Sequence, residues 1–260
     1  MEFNLDQQHA VVTGASRGLG RAIASALAAE GADVVAVARN FDRLRDLATS
    51  LASGTARRGS ITPRVCDLAN SGSIEALSDV LRHADILVLN TGGPPPGPVS
   101  EVSDATWSTQ FESMFLSAMR LTRLALPGMR QRQYGRILLV VSSGVLQPIA
   151  NLGLSNALRM ALVGWAKTLA AEVASEGITV NCLAPGRIAT DRVAELDQAA
   201  AERQQTDVGH VQKQSRASIP VGRYGDPAEF AAIATFLASR QASYMTGGVL
   251  RVDGGMIRGV

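Results

Sequence analysis

Gly14, Arg17, Gly18 and Gly20 are spaced so that backbone N–H groups and a cation can surround an anion. The run Thr13-Gly14-Ala15-Ser16-Arg17-Gly18-Leu19-Gly20 lies between the β-branched pair Val11-Val12 and an apolar stripe, Ile23, Ala26 and Leu27, at helical spacing. The glycines therefore sit where a strand hands over to a helix. Gly14 is free to take a positive φ, Gly18 lets backbone approach a ligand, and Gly20 lets the helix lie close to the strand. The helix N-terminus turns free N–H groups toward an anion such as a pyrophosphate. A second apolar run, Asp33 to Ala38, ends Val37-Ala38-Arg39-Asn40 with no acid. In dinucleotide folds an acid at that place holds the adenosine ribose 2′-hydroxyl, whereas an arginine accommodates a 2′-phosphate. Arg39, with Arg17 inside the turn, favours NADP over NAD.

Positioning these groups requires strands alternating with helices, and the chain supplies them. Helical signals run from Phe41 to Leu51, with Ser53-Gly54 as a stop; a strand follows at Ile61 to Cys66, then a helix at Ser73 to Leu81 and a strand at Ile86 to Leu89. Asp104 to Met129 is a long amphipathic segment with Asp104 as N-cap. A strand at Ile137 to Val141, a helix at Leu152 to Ser175, a strand at Ile178 to Leu183, a helix capped by Asp226-Pro227 and a last strand with a glycine-rich end within Thr246 to Gly255 complete the order. This alternation predicts one α/β domain over residues 1–260, a Rossmann-type, doubly wound parallel sheet of about seven strands with helices on both faces. Residues 191–220, rich in Gln, Ala and charge, lack core periodicity and read as a mobile lid with short helices. Gly93-Pro94-Pro95-Pro96-Gly97-Pro98 reads as a stiff loop walling a substrate pocket.

Composition narrows the ligand. The chain has 260 residues, is 46% hydrophobic and 18% charged, and carries a formal net charge of +2, so no basic field points to nucleic acid. A small-molecule substrate is the default. No apolar run reaches membrane-spanning length and no signal segment opens the chain, which reads as cytoplasmic. His9, His83 and His210 show no metal-ligand spacing, and Cys66 and Cys182 read as buried small hydrophobes near strand ends.

The pattern T-G-x-x-x-G-x-G at the start of the chain resembles that of the short-chain dehydrogenase/reductase family, and in detail its 3-oxoacyl-carrier-protein reductases. The resemblance covers nearly the whole chain. It implies an NADP(H)-dependent oxidoreductase, with Ser16 and Leu19 joining the glycine turn at the cofactor and Asp67-Leu68 at the adenine ring. Asn90 and Gly92 keep two places of the family's Asn-Asn-Ala-Gly turn. Pro185, Gly186, Ile188 and Thr190 match its Pro-Gly-x-hydrophobic-x-Thr turn beside the nicotinamide. The family's outer helices imply a homodimer or homotetramer through 104–129 and 152–175.

The resemblance fails at the chemistry. The family's S-x12-Y-x3-K motif, anchored on Gly135-Arg136 and Gly164, falls on Ser142, Ser155 and Arg159, and Met114 takes the place of its helix asparagine. No tyrosine lies between Tyr134 and Tyr224. A phenol near a cation is a usable acid, a serine hydroxyl is not, and guanidinium stays charged at any working pH. Positions 155 and 159 still share a helix face, so Arg159 keeps the ribose-holding task. Losing a general acid costs about 10²- to 10⁴-fold in rate, roughly 3–5 kcal/mol of barrier. Three readings stand: reduction of a conjugated enone or enoyl thioester that needs no phenolic proton, reduction of a carbonyl with a relocated acid, or a redox-neutral or non-catalytic nucleotide-binding protein.

Overall fold

The computed structural model describes residues 3–52 and 59–259. Seven strands, β1 (His9–Thr13), β2 (Asp33–Ala38), β3 (Ser60–Val65), β4 (Ile86–Leu89), β5 (Gly135–Val140), β6 (Ile178–Pro185) and β7 (Val249–Val252), form one sheet in the order β3-β2-β1-β4-β5-β6-β7. Every neighbouring pair is parallel. Short β-branched and leucine-rich runs suit this arrangement because strands covered on both faces need no polar alternation. In β4 and β5 every residue is buried.

Alternate side chains divide the core in two. Val11, Val37, Leu87, Leu139 and Cys182 pack with α6 (Ser117–Arg132) and α7 (Gly153–Val173) on one face. Val12, Ala36, Val88, Leu138 and Leu183 pack with α1 (Gly18–Ala29), α2 (Phe41–Ala52) and α10 (Pro227–Ala238) on the other. The helices thus lie on both faces, as the alternation predicts. The start of α10 is fixed locally: Asp226 and Glu229 form a reciprocal capping box around Pro227.

Two helices depart from the expected form. The segment expected at Ser73 to Leu81 is two short helices, α3 (Ser71–Glu75) and α4 (Ser78–His83), with Asn70 Oδ1 accepting from Ser73 N at 3.0 Å. Ser73 Oγ is itself engaged by the Asp67 amide at 3.1 Å, a side-chain bond to backbone that competes with continuous helix. The long segment from Asp104 is α5 (Asp104–Phe111), a π turn over Glu112–Leu116, and α6. Residues 191–220, where a lid is expected, hold two helices, α8 (Asp191–Gln204) and α9 (Val208–Ala217), with left-handed Gln205 after the first. The expected stop at Ser53-Gly54 lies outside the described residues. Among the described residues, no helix is long and apolar enough to cross a membrane.

Candidate active site at the strand-order reversal

Strand order reverses between β1 and β4, and in open parallel sheets the crevice beyond the strand ends at that point takes the ligand. The chain has a cavity of about 1030 Å³ there. Its first wall is the glycine turn. Gly14 and Gly18 have φ of +62° and +54°, the left-handed region that favours glycine. A methyl group at Gly14 would also lie 2.6 Å from the Asn90 carbonyl oxygen, and one at Gly20 only 2.3 Å from that of Gly14. The turn is stitched to the end of β4 by Thr13: its Oγ1 accepts from Asn90 N at 2.8 Å, and its hydroxyl lies 2.9 Å from Asn90 O.

At one end of the cavity stand exposed Arg39 at the end of β2, Arg43 from the first turn of α2, and Asp67-Leu68 after β3. Asp67 Oδ1 is held by the amide of Ala69 at 3.1 Å. Arg17, at the N-cap of α1, pairs across the opening with Glu195 of α8 at 2.7 Å and approaches Asp191 at 3.6 Å. That pairing, chiefly its hydrogen bond, holds the Glu195 carboxyl below its usual range.

Ser142, Ser155 and Arg159 all line the cavity beyond the end of β5. Ser142 Oγ accepts from Gly144 N at 3.1 Å. One turn apart on α7, Arg159 Nε donates to Ser155 Oγ at 3.3 Å, and Arg159 Nη1 donates to Val140 O at 2.6 Å. Arg159 is only 7% exposed. Burial first, and the nearby Arg192 cation second, bring its pKa down to about 10, so it remains a cation at neutral pH. Met114, on the π turn, is fully buried with Leu154 and Leu158 and contributes no polar atom.

The third wall follows β6. Pro185, Gly186, Ile188 and Thr190 line the cavity. Gly186 N donates to Val252 O at 2.9 Å, and a methyl group at Gly186 would meet Asp253 Cα at 2.7 Å. Besides Arg17, two arginines bind α8 to the rest of the molecule. Arg187 Nη1 donates to Asp197 Oδ1 at 2.8 Å, while Arg192 Nη2 donates to Pro94 O at 2.6 Å. Asp197 is fully buried and also accepts from the Tyr224 hydroxyl at 2.8 Å.

Comparison with known proteins places this arrangement. Residues 14–257 match the family model described as enoyl-(acyl carrier protein) reductase, adh_short_C2. The chain belongs to the short-chain dehydrogenase/reductase family. Among its relatives is the 3-oxoacyl-(acyl-carrier-protein) reductase FabG of Vibrio cholerae, 37% identical over 98% of this chain and 99% of that protein. The L-sorbose reductase of Gluconobacter frateurii, solved with NADPH and L-sorbose, superposes with a TM-score of 0.92 at 34% identity over the full length of both chains. YwfH, an NADPH-dependent reductase involved in bacilysin biosynthesis, gives a TM-score of 0.91 at 29% identity, covering 98% of this chain and 100% of its own.

In this short-chain dehydrogenase/reductase the cavity gathers Gly14, Ser16, Arg17, Gly18, Leu19, Arg39, Asp67, Leu68, Asn90, Gly92, Ser142, Ser155, Arg159 and the Pro185–Thr190 positions singled out from sequence. Gly20 does not line it; it lets α1 press against the Gly14 carbonyl. The proline loop departs from expectation as well. Gly92 and Gly93 line the cavity, but Pro94, Pro95, Pro96 and Pro98 do not. The loop is instead pinned from behind, through Pro94 O to Arg192 and through Gly97 N to Asn151 O at 2.8 Å. Sequence reasoning missed Thr13, Arg43 and Arg192. Arg43 was accessible to it, four residues after Arg39 on the opening turn of a helix; Arg192 was not, because its partner is ninety-eight residues away.

Proposed function

We propose that the chain is an NADP(H)-dependent oxidoreductase that reduces a conjugated enone or enoyl substrate, stabilising charge on the substrate oxygen instead of delivering a phenolic proton to it. The cavity has the features such a cofactor requires. At Gly18 a positive φ exposes backbone beside open space, and a methyl group placed there would meet only the Thr190 side chain, at 3.5 Å, so a diphosphate can approach the N-terminus of α1. Arg39 and Arg43 stand where a 2′-phosphate would lie, and no acid accompanies them at the end of β2. The NADPH-bound relative at 34% identity supports the same choice.

One observation carries the chemistry. Ser142 Oγ and Ser155 Oγ each already accept from a fixed N–H, the Gly144 amide and Arg159 Nε, which leaves each hydroxyl proton free to donate into the cavity. Among the described residues that line the cavity there is no tyrosine, lysine or histidine. Bound NADPH supplies a hydride. When the β-carbon of a conjugated substrate accepts it, negative charge gathers on the carbonyl oxygen as an enolate, and the α-carbon then takes its proton from water. Ser142 and Ser155 donate to that oxygen, and the Arg159 cation behind Ser155 strengthens the site. Preorganised donors of this kind are each worth about 10²- to 10³-fold. An isolated ketone gains no such escape, because its alkoxide needs a proton from an acid, and its reduction is slow here. Residues 191–220 form the lid, held through Arg17, Arg187 and Arg192. Exposed Phe111, Met119 and Met160 on the outer helices support a homodimer or homotetramer.

Fluorescence titration with NADPH and NADH, on wild type and Arg159→Ala in parallel, tests the reading. Expected are NADPH preference, weaker NADPH binding in the variant, and oxidation of NADPH by an enone faster than by the matching saturated ketone. Binding of neither nucleotide would overturn it and leave a fold reused for another purpose.

A further inference from the structure

Arg159 and Arg192 both line the catalytic end of the cavity, and neither has a carboxylate to itself. Arg159, more than nine-tenths buried, donates only to a carbonyl and a hydroxyl, and no ion pair reaches it among the described residues. Arg192 donates to Pro94 O, and its nearest carboxylate oxygen, on Glu195 at 3.7 Å, belongs to a group already hydrogen-bonded to Arg17 at 2.7 Å. Arg187, by contrast, is neutralised by Asp197. One buried guanidinium is thus uncompensated, and a second, half-buried one is only loosely paired. An unpaired charge in such a place is costly, and the cation at Arg192 adds to what burial does to Arg159.

We infer that these two arginines form a carboxylate-binding site, so that the substrate is a conjugated enone bearing a free acid group rather than a neutral ester or carrier-bound thioester. A guanidinium fork matches a carboxylate in two parallel hydrogen bonds. Gly93 lets the Arg192 guanidinium lie against the loop: a methyl group there would stand 3.1 Å from Arg192 Nη2. The carboxylate then sits beside the hydroxyls of Ser142 and Ser155, holding the enone oxygen near its donors. The inference rests on the conjugate-reduction reading above, and its direct readout is binding rather than turnover.

Isothermal titration of the purified chain with 3-benzoylpropionate and with its methyl ester measures the site without the reaction. The acid is expected to bind about 10-fold or more tighter than the ester, as a charge-assisted bidentate pair implies. Arg192→Met should remove that preference, Arg192→Lys should keep part of it, and NADPH affinity should change less than about 2-fold in either, circular dichroism confirming that both are folded. Equal binding of acid and ester by wild type would overturn the site. So would an Arg192→Met variant that loses NADPH affinity while keeping the acid preference, since Arg192 would then serve the cofactor rather than a substrate carboxylate. In the companion assay, trans-3-benzoylacrylate should oxidise NADPH faster than its methyl ester does. Acid preference without any NADPH oxidation would uphold the site and sink the conjugate-reduction reading.

Discussion

Replacing Arg159 with methionine should barely change the stability of the ligand-free protein while weakening its hold on nucleotide. Two effects oppose each other. The guanidinium's hydrogen bonds to Val140 O and Ser155 Oγ are lost, and a buried acceptor left unsatisfied costs about 1–3 kcal/mol. Against this, burial holds Arg159 well below the usual guanidinium value, at a pKa of about 10. At about 1.4 kcal/mol per pH unit, keeping it charged costs the native state roughly 3 kcal/mol. That cost is fully present below pH 10, where both native and unfolded chains carry the proton. It fades only as pH rises through the native value toward the unfolded one, because there the unfolded chain binds the extra proton. Methionine removes the cost along with the bonds, so at pH 7 the net change should stay within about 1 kcal/mol, a Tm shift under about 5 °C for a chain of this size. NADPH affinity should meanwhile fall by about 10-fold, as for loss of one charge-assisted hydrogen bond. Differential scanning fluorimetry and nucleotide titration of the same samples check both. A Tm loss well beyond 5 °C with nucleotide binding intact would overturn this balance and make Arg159 a structural residue.

Arg39→Ala should lower NADPH affinity about 10-fold and leave NADH affinity unchanged, and adding Arg43→Ala should lower the NADPH value further, as competitive titrations would show. Asp197→Asn strips the charge that faces Arg187 and Tyr224; because Arg187 is partly solvated, the loss should be about 1–3 kcal/mol rather than the full cost of breaking a buried pair. Proteolysis should then find new cleavage sites within α8, and an unchanged digestion pattern would count against the lid. Burial pushes the Cys182 thiol up to about 12, and burial also raises that of Cys66. Neither should react with a thiol reagent at pH 8 until the chain is unfolded.

How far the sequence carries depends on how local each decision is. The strand–turn–helix from β1 into α1 and the capping box at Asp226 are set by residues close together in the chain, and each falls where the pattern puts it. Gly14 shows the limit even there: its positive φ is legible from residue type, but the Asn90 carbonyl that also forbids a side chain comes from the end of β4 and enters only when the strands are ordered. The site divides along the same line. Ser155 and Arg159, four apart on one helix, are read together from spacing. Arg192, Pro94 and Glu195 belong to a loop after β4 and a helix after β6, and only the parallel pairing of both strands with β5 sets those two strand ends along one edge of the sheet. The consequence is chemical. Taken alone, Ser155 and Arg159 look like a reductase with its acid deleted. With Arg192 beside them and no carboxylate to neutralise Arg159, the same positions read as a cavity built around negative charge, which is what conjugate reduction of an acid requires at the carboxylate and at the developing enolate.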